Sequence, residues 1–348
     1  MKPKTVLVLF GGCSPEYSVS LESAGSVLRH LDPKKYAPVM VGITREGKWL
    51  HYTGPMERIE DDTWQQGPCV PAVLSPDRGS RALLLLGDSG VETIEIDVAL
   101  PILHGKNGED GTVQGLIALT GIPLAGCGVL ASALCMDKDR AHRLAGDAGV
   151  RVPLALVLER DHRTDTLSEF AREVGYPLFV KPVKAGSSYG VTRVEGEKTL
   201  RSAVELAFSY DDQVIVEENI EGFEVGCAVL GNDDLLTGAV DEIELSGGFF
   251  DFTEKYTLKT SAIHVPARVT PAKALEIRET AKVIYRALGC RGFARVDMFL
   301  TPEGTIYFNE VNTIPGFTAH SRYPGMMRAA GIEFADLLDR ILTLAVEV

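Results

Sequence analysis

The chain has 348 residues, 45% of them hydrophobic and 24% charged, a length that at roughly 150 residues per domain fits two or three domains with sizeable cores. Thirty-five basic against 48 acidic residues give a net charge of −13, which argues against a nucleic-acid partner because phosphate backbones are held by clustered Lys and Arg. The apolar content argues against disorder.

Apolar runs such as Ala82–Leu86 fall far short of the ~20 residues that span a bilayer, so no membrane partner is expected. The start, Met1-Lys2-Pro3-Lys4 followed by Thr5–Phe10, looks like a secretion signal. However, Gly11-Gly12 cuts the run and no small-x-small cleavage site follows, so a buried strand is the better reading. The alternation continues with a helix over about Tyr17–Leu31 and a strand over Ala37–Ile43. After a Pro-rich stretch from Gly54 to Arg81 come a strand at Val98–Leu103 and a helix at Gln114–Leu119. This pattern predicts an α/β layer with parallel strands. From about Gly126 the pattern predicts helices at Lys138–Ala148 and Thr166–Val174, with hairpins at Leu178–Val194 and Val214–Gly231. The last third predicts a helix at Pro271–Leu288, a hairpin at Ala294–Val311 and a helix at Phe334–Val346. The expected units are therefore residues 1–125, 126–225 and 226–348, of mixed α/β and α+β class around a central cleft. Six cysteines without a C-x-x-C pair read as reduced buried thiols in a cytoplasmic protein.

The C-terminal hairpin is the most informative segment. Arg295 and Asp297 alternate onto one face of the first strand, and Glu310 and Asn312 share a face of the second. A turn centred on Pro302-Glu303 would set Arg295 near Glu310 with Asp297 diagonal to it. Two carboxylates and an amide oxygen make a hard oxygen site of the kind Mg²⁺ prefers; a ladder of ion pairs between Arg295 and the acids is the alternative.

Upstream, Lys181 ends a strand and runs into Ala185-Gly186-Ser187-Ser188-Tyr189-Gly190. Small residues let backbone N–H groups approach phosphate while the lysine adds a point charge, although this is not a G-x-x-x-x-G-K-[ST] loop. The paired acids Glu217-Glu218, with Glu224 beyond, suit an adenine amine and ribose hydroxyls, or simply solvent. His104 lies in the polar Leu103–Gly111 loop at a strand C-terminus, where ligands bind in α/β sheets, and suits either a substrate contact or a structural role. Glu16 follows Gly11-Gly12-Cys13-Ser14-Pro15 and suits either a helix dipole or a substrate ammonium. The opening turn lacks G-x-G-x-x-G, which disfavours a dinucleotide-dependent dehydrogenase. Phe249–Tyr256 is either an exposed loop or a lid carrying Lys255.

In this order, these segments closely resemble the D-alanine–D-alanine ligase family over essentially the whole chain. The match is carried by Phe10–Leu21, Leu103–Gly111, Met136-Asp137-Lys138, Lys181–Gly190, Glu217-Glu218, Glu224, Glu254-Lys255-Tyr256, Arg295–Asp297 and Asn309–Ser321. The resemblance implies a three-domain ATP-grasp fold with a Rossmann-like first domain, and a cytoplasmic homodimer. It implies ATP-driven joining of D-alanine to a second D-amino acid through a D-alanyl phosphate. By the same likeness Lys138, Lys181, Ser187, Ser188, Glu217, Glu218, Glu224 and Lys255 serve ATP. Asp297, Glu310 and Asn312 hold two Mg²⁺ ions, with Mn²⁺ as a substitute, and Arg295 and the Gly316 N–H stabilise the oxyanion. Glu16, Ser187 and Tyr256 form a hydrogen-bonded set that anchors the first D-alanine. His104 and Ser321 contact substrate. Ser321-Arg322-Tyr323-Pro324 and the Glu224–Gly231 segment resemble the vancomycin-resistance branch, and Glu254-Lys255-Tyr256 resembles its D-serine ligases. Arg322, Asp241 and Phe250 are then the candidates to recognise D-serine, against the reading that Arg322 only pairs with a carboxylate to stiffen its loop; a second D-alanine is the alternative and D-lactate is disfavoured.

Overall fold

The computed structural model describes residues 2–161, 164–245, 261–318 and 320–347. Among these, sixteen strands fall into three sheets. The first holds β1 (Lys4–Gly11), β2 (Tyr36–Ile43), β3 (Trp49–Tyr52), β4 (Cys69–Leu74), β5 (Ala82–Gly87), β6 (Gly90–Glu95) and β7 (Val98–Ile102), in the order 6-5-4-3-2-1-7. β1 lies between β2 and β7, parallel to both, and its Val6–Phe10 run is fully buried. A strand covered on both faces needs such an unbroken apolar run, and the Tyr17–His30 helix is the crossover that lets β2 return parallel.

The expected parallel strands are continued on the other side by antiparallel ones. β2 to β6 zigzag antiparallel; between β5 and β6 the two-residue connection Asp88-Ser89 permits nothing else. The Pro-rich stretch supplies β4 and a short turn that buries Trp64, whose ring meets Phe10 edge-on at 5.1 Å and whose Nε1 donates to the Tyr17 hydroxyl at 3.0 Å.

The second sheet comprises β8 (Ala155–Glu159), β9 (Leu178–Pro182), β10 (Thr192–Val194) and β11 (Gln213–Glu218), in the order 10-9-11-8. The third comprises β12 (Phe223–Leu230), β13 (Leu236–Leu245), β14 (Ser261–His264), β15 (Phe293–Leu300) and β16 (Ile306–Asn312), in the order 14-13-12-15-16. The hairpin expected over Val214–Gly231 does not form. Both edges of β11 are taken by β9 and β8, and both edges of β12 by β13 and β15, so the two consecutive strands belong to different sheets. Residue 225, expected as a unit boundary, lies inside β12.

One apolar cluster joins Phe10 and Tyr17 to Phe293, Phe317, Tyr323 and Met326. This packing fixes the first sheet against the third. All six cysteines are free thiols. Cys127, Cys135, Cys227 and Cys290 are buried as expected, whereas Cys13 is exposed and Cys69 half-buried. No helix among the described residues is long and apolar enough to cross a membrane.

Candidate active site

Two adjoining cavities occupy the cleft. The first, of about 400 Å³, is lined by Glu16, His104, Lys138, Ser187, Arg295, Glu310, Asn312, Gly316, Ser321 and Arg322 among others. The second, of about 430 Å³, is lined by Lys138, Lys181, Ser188, Glu217, Glu218, Glu224 and Glu310, with Phe179, Ile220, Phe223 and Phe299 as apolar walls. Residues expected from distant segments therefore converge, and Lys138 and Glu310 face both spaces. Phe250, Lys255 and Tyr256 lie outside the described residues.

Glu16 directly precedes the Tyr17–His30 helix, at the C-terminal end of β1. It is buried, and its Oε1 accepts a hydrogen bond from Ser187 Oγ, so the Gly186–Gly190 loop, which connects β9 and β10 of the second sheet, touches the end of the first sheet at this point. Gly105 makes the approach feasible: its φ is +71° and a Cβ there would stand 2.5 Å from Glu16 Oε2. Two consecutive non-glycine residues, Ser187 and Ser188, also adopt left-handed backbone, with φ of 49° and 59°.

His104 ties units together. Its Nδ1 lies 2.9 Å from the Ile314 carbonyl and its Nε2 3.3 Å from Ser23 Oγ. Burial holds its pKa below the usual imidazole value, against the opposing pull of Glu16, so the neutral ring donates through Nδ1. Glu109, five residues on, lines the same cavity. Its Oε1 accepts from the Gly105 amide at 3.1 Å, and its buried Oε2 has no hydrogen-bond partner among the described residues. Burial pushes this carboxyl well above its ordinary pKa, with Glu16 adding to the effect. Glu109 has no role assigned to it from sequence; the only sign of one is an acid in a loop at a strand C-terminus.

Lys138 begins its helix because Asp137 caps it, accepting from the Arg140 amide at 3.0 Å. Its Nζ donates to the Ala185 carbonyl at 2.7 Å, holding the Gly/Ser loop. Lys181 Nζ donates to Glu217 Oε2 at 2.6 Å. Burial raises the Glu217 pKa, but Lys181 and then His142 outweigh it and hold the carboxylate below its ordinary value. The expected phosphate lysine and nucleoside acid are thus ion-paired to each other. Glu218 Oε1 accepts from the Leu154 amide at 2.8 Å.

The β15–β16 hairpin corrects the expected register. Its turn is one residue longer than a turn centred on Pro302-Glu303, and Asn309 is bulged out between the Met298–Phe308 and Asp297–Glu310 pairs. Arg295 therefore faces Asn312, and Asp297 faces Glu310. The Asn309 carbonyl lies 2.8 Å from His142 Nε2. Because two residues are added, the expected faces survive, and the four side chains still converge.

No cluster of three His, Cys, Asp or Glu side chains suited to a metal occurs among the described residues, so a divalent ion here depends on Asn312. Asp297, Glu310 and the Asn312 amide oxygen form a hard donor set that fits Mg²⁺. Asn312 Nδ2 donates to Asp297 Oδ2 at 2.9 Å, which leaves Oδ1 as the atom available to an ion. The ion-pair alternative is present as well: Arg295 grips Asp297 at 2.7 to 3.0 Å. Burial lowers the Arg295 pKa, but Asp297 outweighs it and the net shift is upward.

Arg322 is buried under three carboxylates. Nε and Nη2 donate to Asp241 at 2.7 and 2.8 Å, Nη1 donates to Glu224 at 2.7 Å, and Nη2 stands 3.3 Å from Asp297. Asp241 is fully buried and lines neither cavity, so it is corrected from a direct substrate partner to the group that holds Arg322. Ser321 Oγ accepts from the Thr318 amide at 3.0 Å. Phe179 and Phe299, flat apolar walls for a planar base, carry no signal in the sequence because each reads as an ordinary alternating strand position.

Residues 5–127 match the model of the D-ala D-ala ligase N-terminus and residues 144–343 that of its C-terminus. A putative D-alanine–D-lactate ligase of Streptomyces coelicolor is 46% identical, over 97% of this chain and 96% of its own length. A D-alanine–D-alanine ligase of Caldicellulosiruptor bescii is 43% identical, over 98% and 95%. The crystal structure of the VanG D-Ala:D-Ser ligase from Enterococcus faecalis is 52% identical and superposes with a TM-score of 0.93, covering 99% of this chain and all of that one. With the three-sheet ATP-grasp architecture and both family models spanning its length, the chain belongs to the D-alanine–D-alanine ligase family of ATP- and divalent-metal-dependent ligases.

Proposed function

We propose that the chain joins D-alanine to D-serine, as the vancomycin-resistance D-serine ligases do. The observation that carries the choice is Arg322, a buried guanidinium lining the same cavity as Glu16 and Ser321. Nη1 has a second N–H beyond the one given to Glu224. A serine hydroxyl entering a buried site needs a partner, and leaving it unpaired costs about 1–3 kcal/mol. Arg322 supplies that partner, while a D-alanine methyl gains nothing from it. The 52% identity to a solved D-Ala:D-Ser ligase supports the reading.

In this scheme Glu16 receives the ammonium of the first D-alanine, with Ser187 fixing its carboxylate. Lys138 and Lys181 meet the ATP phosphates beneath the Gly186–Gly190 loop, and Glu217, Glu218 and Glu224 meet the nucleoside. Asp297, Glu310 and Asn312 would hold two Mg²⁺ ions, which would supply charge neutralisation for the transferring phosphoryl group. The D-alanine carboxylate takes the γ-phosphoryl and ADP leaves. The D-serine amine then attacks the carbonyl, and phosphate departs. Arg295 and the Gly316 amide face the tetrahedral oxyanion, donors worth about 3–4 kcal/mol each. The protein works as a cytoplasmic homodimer, where ATP is at hand.

The alternative acceptor, a second D-alanine, draws support from the same ion pairs: if Asp241, Glu224 and Asp297 absorb all of Arg322's hydrogen-bonding capacity, the arginine is a strut. A competition assay decides between them. Purified protein with ATP, Mg²⁺, D-alanine and equimolar D-serine should yield mainly D-Ala–D-Ser by mass, and Arg322→Leu should lower its share. Mainly D-Ala–D-Ala from the unaltered protein would assign the alternative.

A further inference from the structure

The two cavities meet at an ion pair. Glu224, near the start of β12, lines the cavity that holds Lys181 and Phe299; Arg322, the first residue of the Arg322–Ala329 helix, lines the cavity that holds Glu16. The Glu224 Oε1 to Arg322 Nη1 distance is 2.7 Å, with the two side chains 15% and 7% exposed, so water competes little for either.

Arg322 has two distinct attachments. Asp241 takes the Nε–Nη2 edge in a fork, fixing the plane of the guanidinium. Nη1 is the end left over, and Glu224 is the residue that takes it. Nη1 carries a second N–H, and Arg322 lines the cavity that also holds Glu16 and Ser321. The carboxylate that orients the selecting donor is therefore itself a wall of the nucleotide cavity.

We propose that Glu224 is shared between the two cavities, serving the nucleotide on one side and positioning Arg322 on the other, so that it helps select the second amino acid. The proposal rests on the D-serine reading above. A ribose hydroxyl donating to Glu224 competes with Nη1 for the same carboxylate, and that competition couples nucleotide to acceptor choice. The coupling is reciprocal by thermodynamic linkage, and couplings of this kind are typically about 5- to 150-fold in affinity.

The test is the product ratio in the D-alanine and D-serine competition at saturating ATP. Glu224→Gln keeps the side chain's shape and removes its charge. It should shift the D-Ala–D-Ser to D-Ala–D-Ala ratio by at least about fivefold, through the KM for D-serine and not that for the first D-alanine. Glu218→Gln, an acid of the same cavity bonded to the Leu154 amide instead of Arg322, should raise the KM for ATP and keep the wild-type ratio. In an Arg322→Lys background, Glu224→Gln should leave the ratio where Arg322→Lys alone puts it. A folded Glu224→Gln protein with the wild-type ratio overturns the proposal. If that variant does not fold, unaltered protein supplied with 2′,3′-dideoxy-ATP removes the ribose donors instead, and an unchanged ratio there overturns the proposal equally. Failure of the unaltered enzyme to make any D-alanyl dipeptide would instead overturn the functional reading.

Discussion

Arg322 and Asp241 form a two-bonded ion pair, at 2.7 and 2.8 Å, in which the carboxylate has no exposed surface at all. Burial opposes the arginine's charge, yet Asp241 and then Asp297 outweigh it and drive its pKa well above the ordinary value. The guanidinium is thus a fixed charge in the wall of the cavity that also holds Glu16 and Ser321. Its cost in desolvation is offset by three carboxylates.

Removing one partner leaves that charge undercompensated. Asp241→Asn should destabilise the fold by about 3 kcal/mol, read as a lowered urea midpoint at unchanged denaturant slope. A loss below about 1 kcal/mol would mean that Glu224 and Asp297 hold Arg322 without it.

Gly226 is the strand position directly between Asp241 on β13 and Asp297 on β15. A Cβ there would stand 2.4 Å from Arg322 Nη2 and 2.5 Å from Asp241 Oδ1. Gly226→Ala should cost about 1–3 kcal/mol through overpacking. It should also raise the KM for the second amino acid more than that for ATP, and steady-state kinetics on both substrates checks the split.

Glu310 faces both cavities and belongs to the metal donor set. Glu310→Gln should lower kcat by about a hundredfold or more while the melting temperature stays near that of the parent, because a lost metal ligand removes charge stabilisation at the phosphoryl group. Wild-type turnover in this variant would sink the metal assignment.

The Glu109 carboxyl has a folded-state pKa above its ordinary 4.5. Between 4.5 and that raised value the folded chain binds more protons than the unfolded chain, so this group makes stability fall as pH rises. Glu109→Gln removes the effect. The difference in melting temperature, variant minus parent, should grow more positive from about pH 4.5 toward neutrality; a difference independent of pH would show that Glu109 titrates normally.

Elements with a single strong pattern were legible from sequence. The Val6–Phe10 run could only be a covered strand, and the Pro271–Ala287 helix carries its own start in Thr270 and Pro271. Pairing was less legible, because the partner of a strand is chosen by tertiary packing: β11 and β12 read as a hairpin although each had both edges occupied elsewhere. The convergence of Glu16, Ser187 and Arg295 was available through family likeness, since their segments lie far apart in the chain. Ion pairing inside the site was legible only within the β15–β16 hairpin, where Arg295 and Asp297 share a face of one strand. Lys181 with Glu217, and Arg322 with Asp241, meet only once separate strands and helices are packed.

The bulge at Asn309 lets Phe308 point into the core while Glu310, two residues later, points into the cleft. Everything downstream of the Thr301–Thr305 turn therefore depends on a count of residues as much as on their identity. Surface turns are ordinarily where chains tolerate gain or loss of a residue, and this turn lines neither cavity. Yet one residue fewer would slide β16 against β15 and rotate Glu310 and Asn312 inward, bringing Val311 out in their place. The length of a remote loop thus helps decide which side chains of β16 face the cleft.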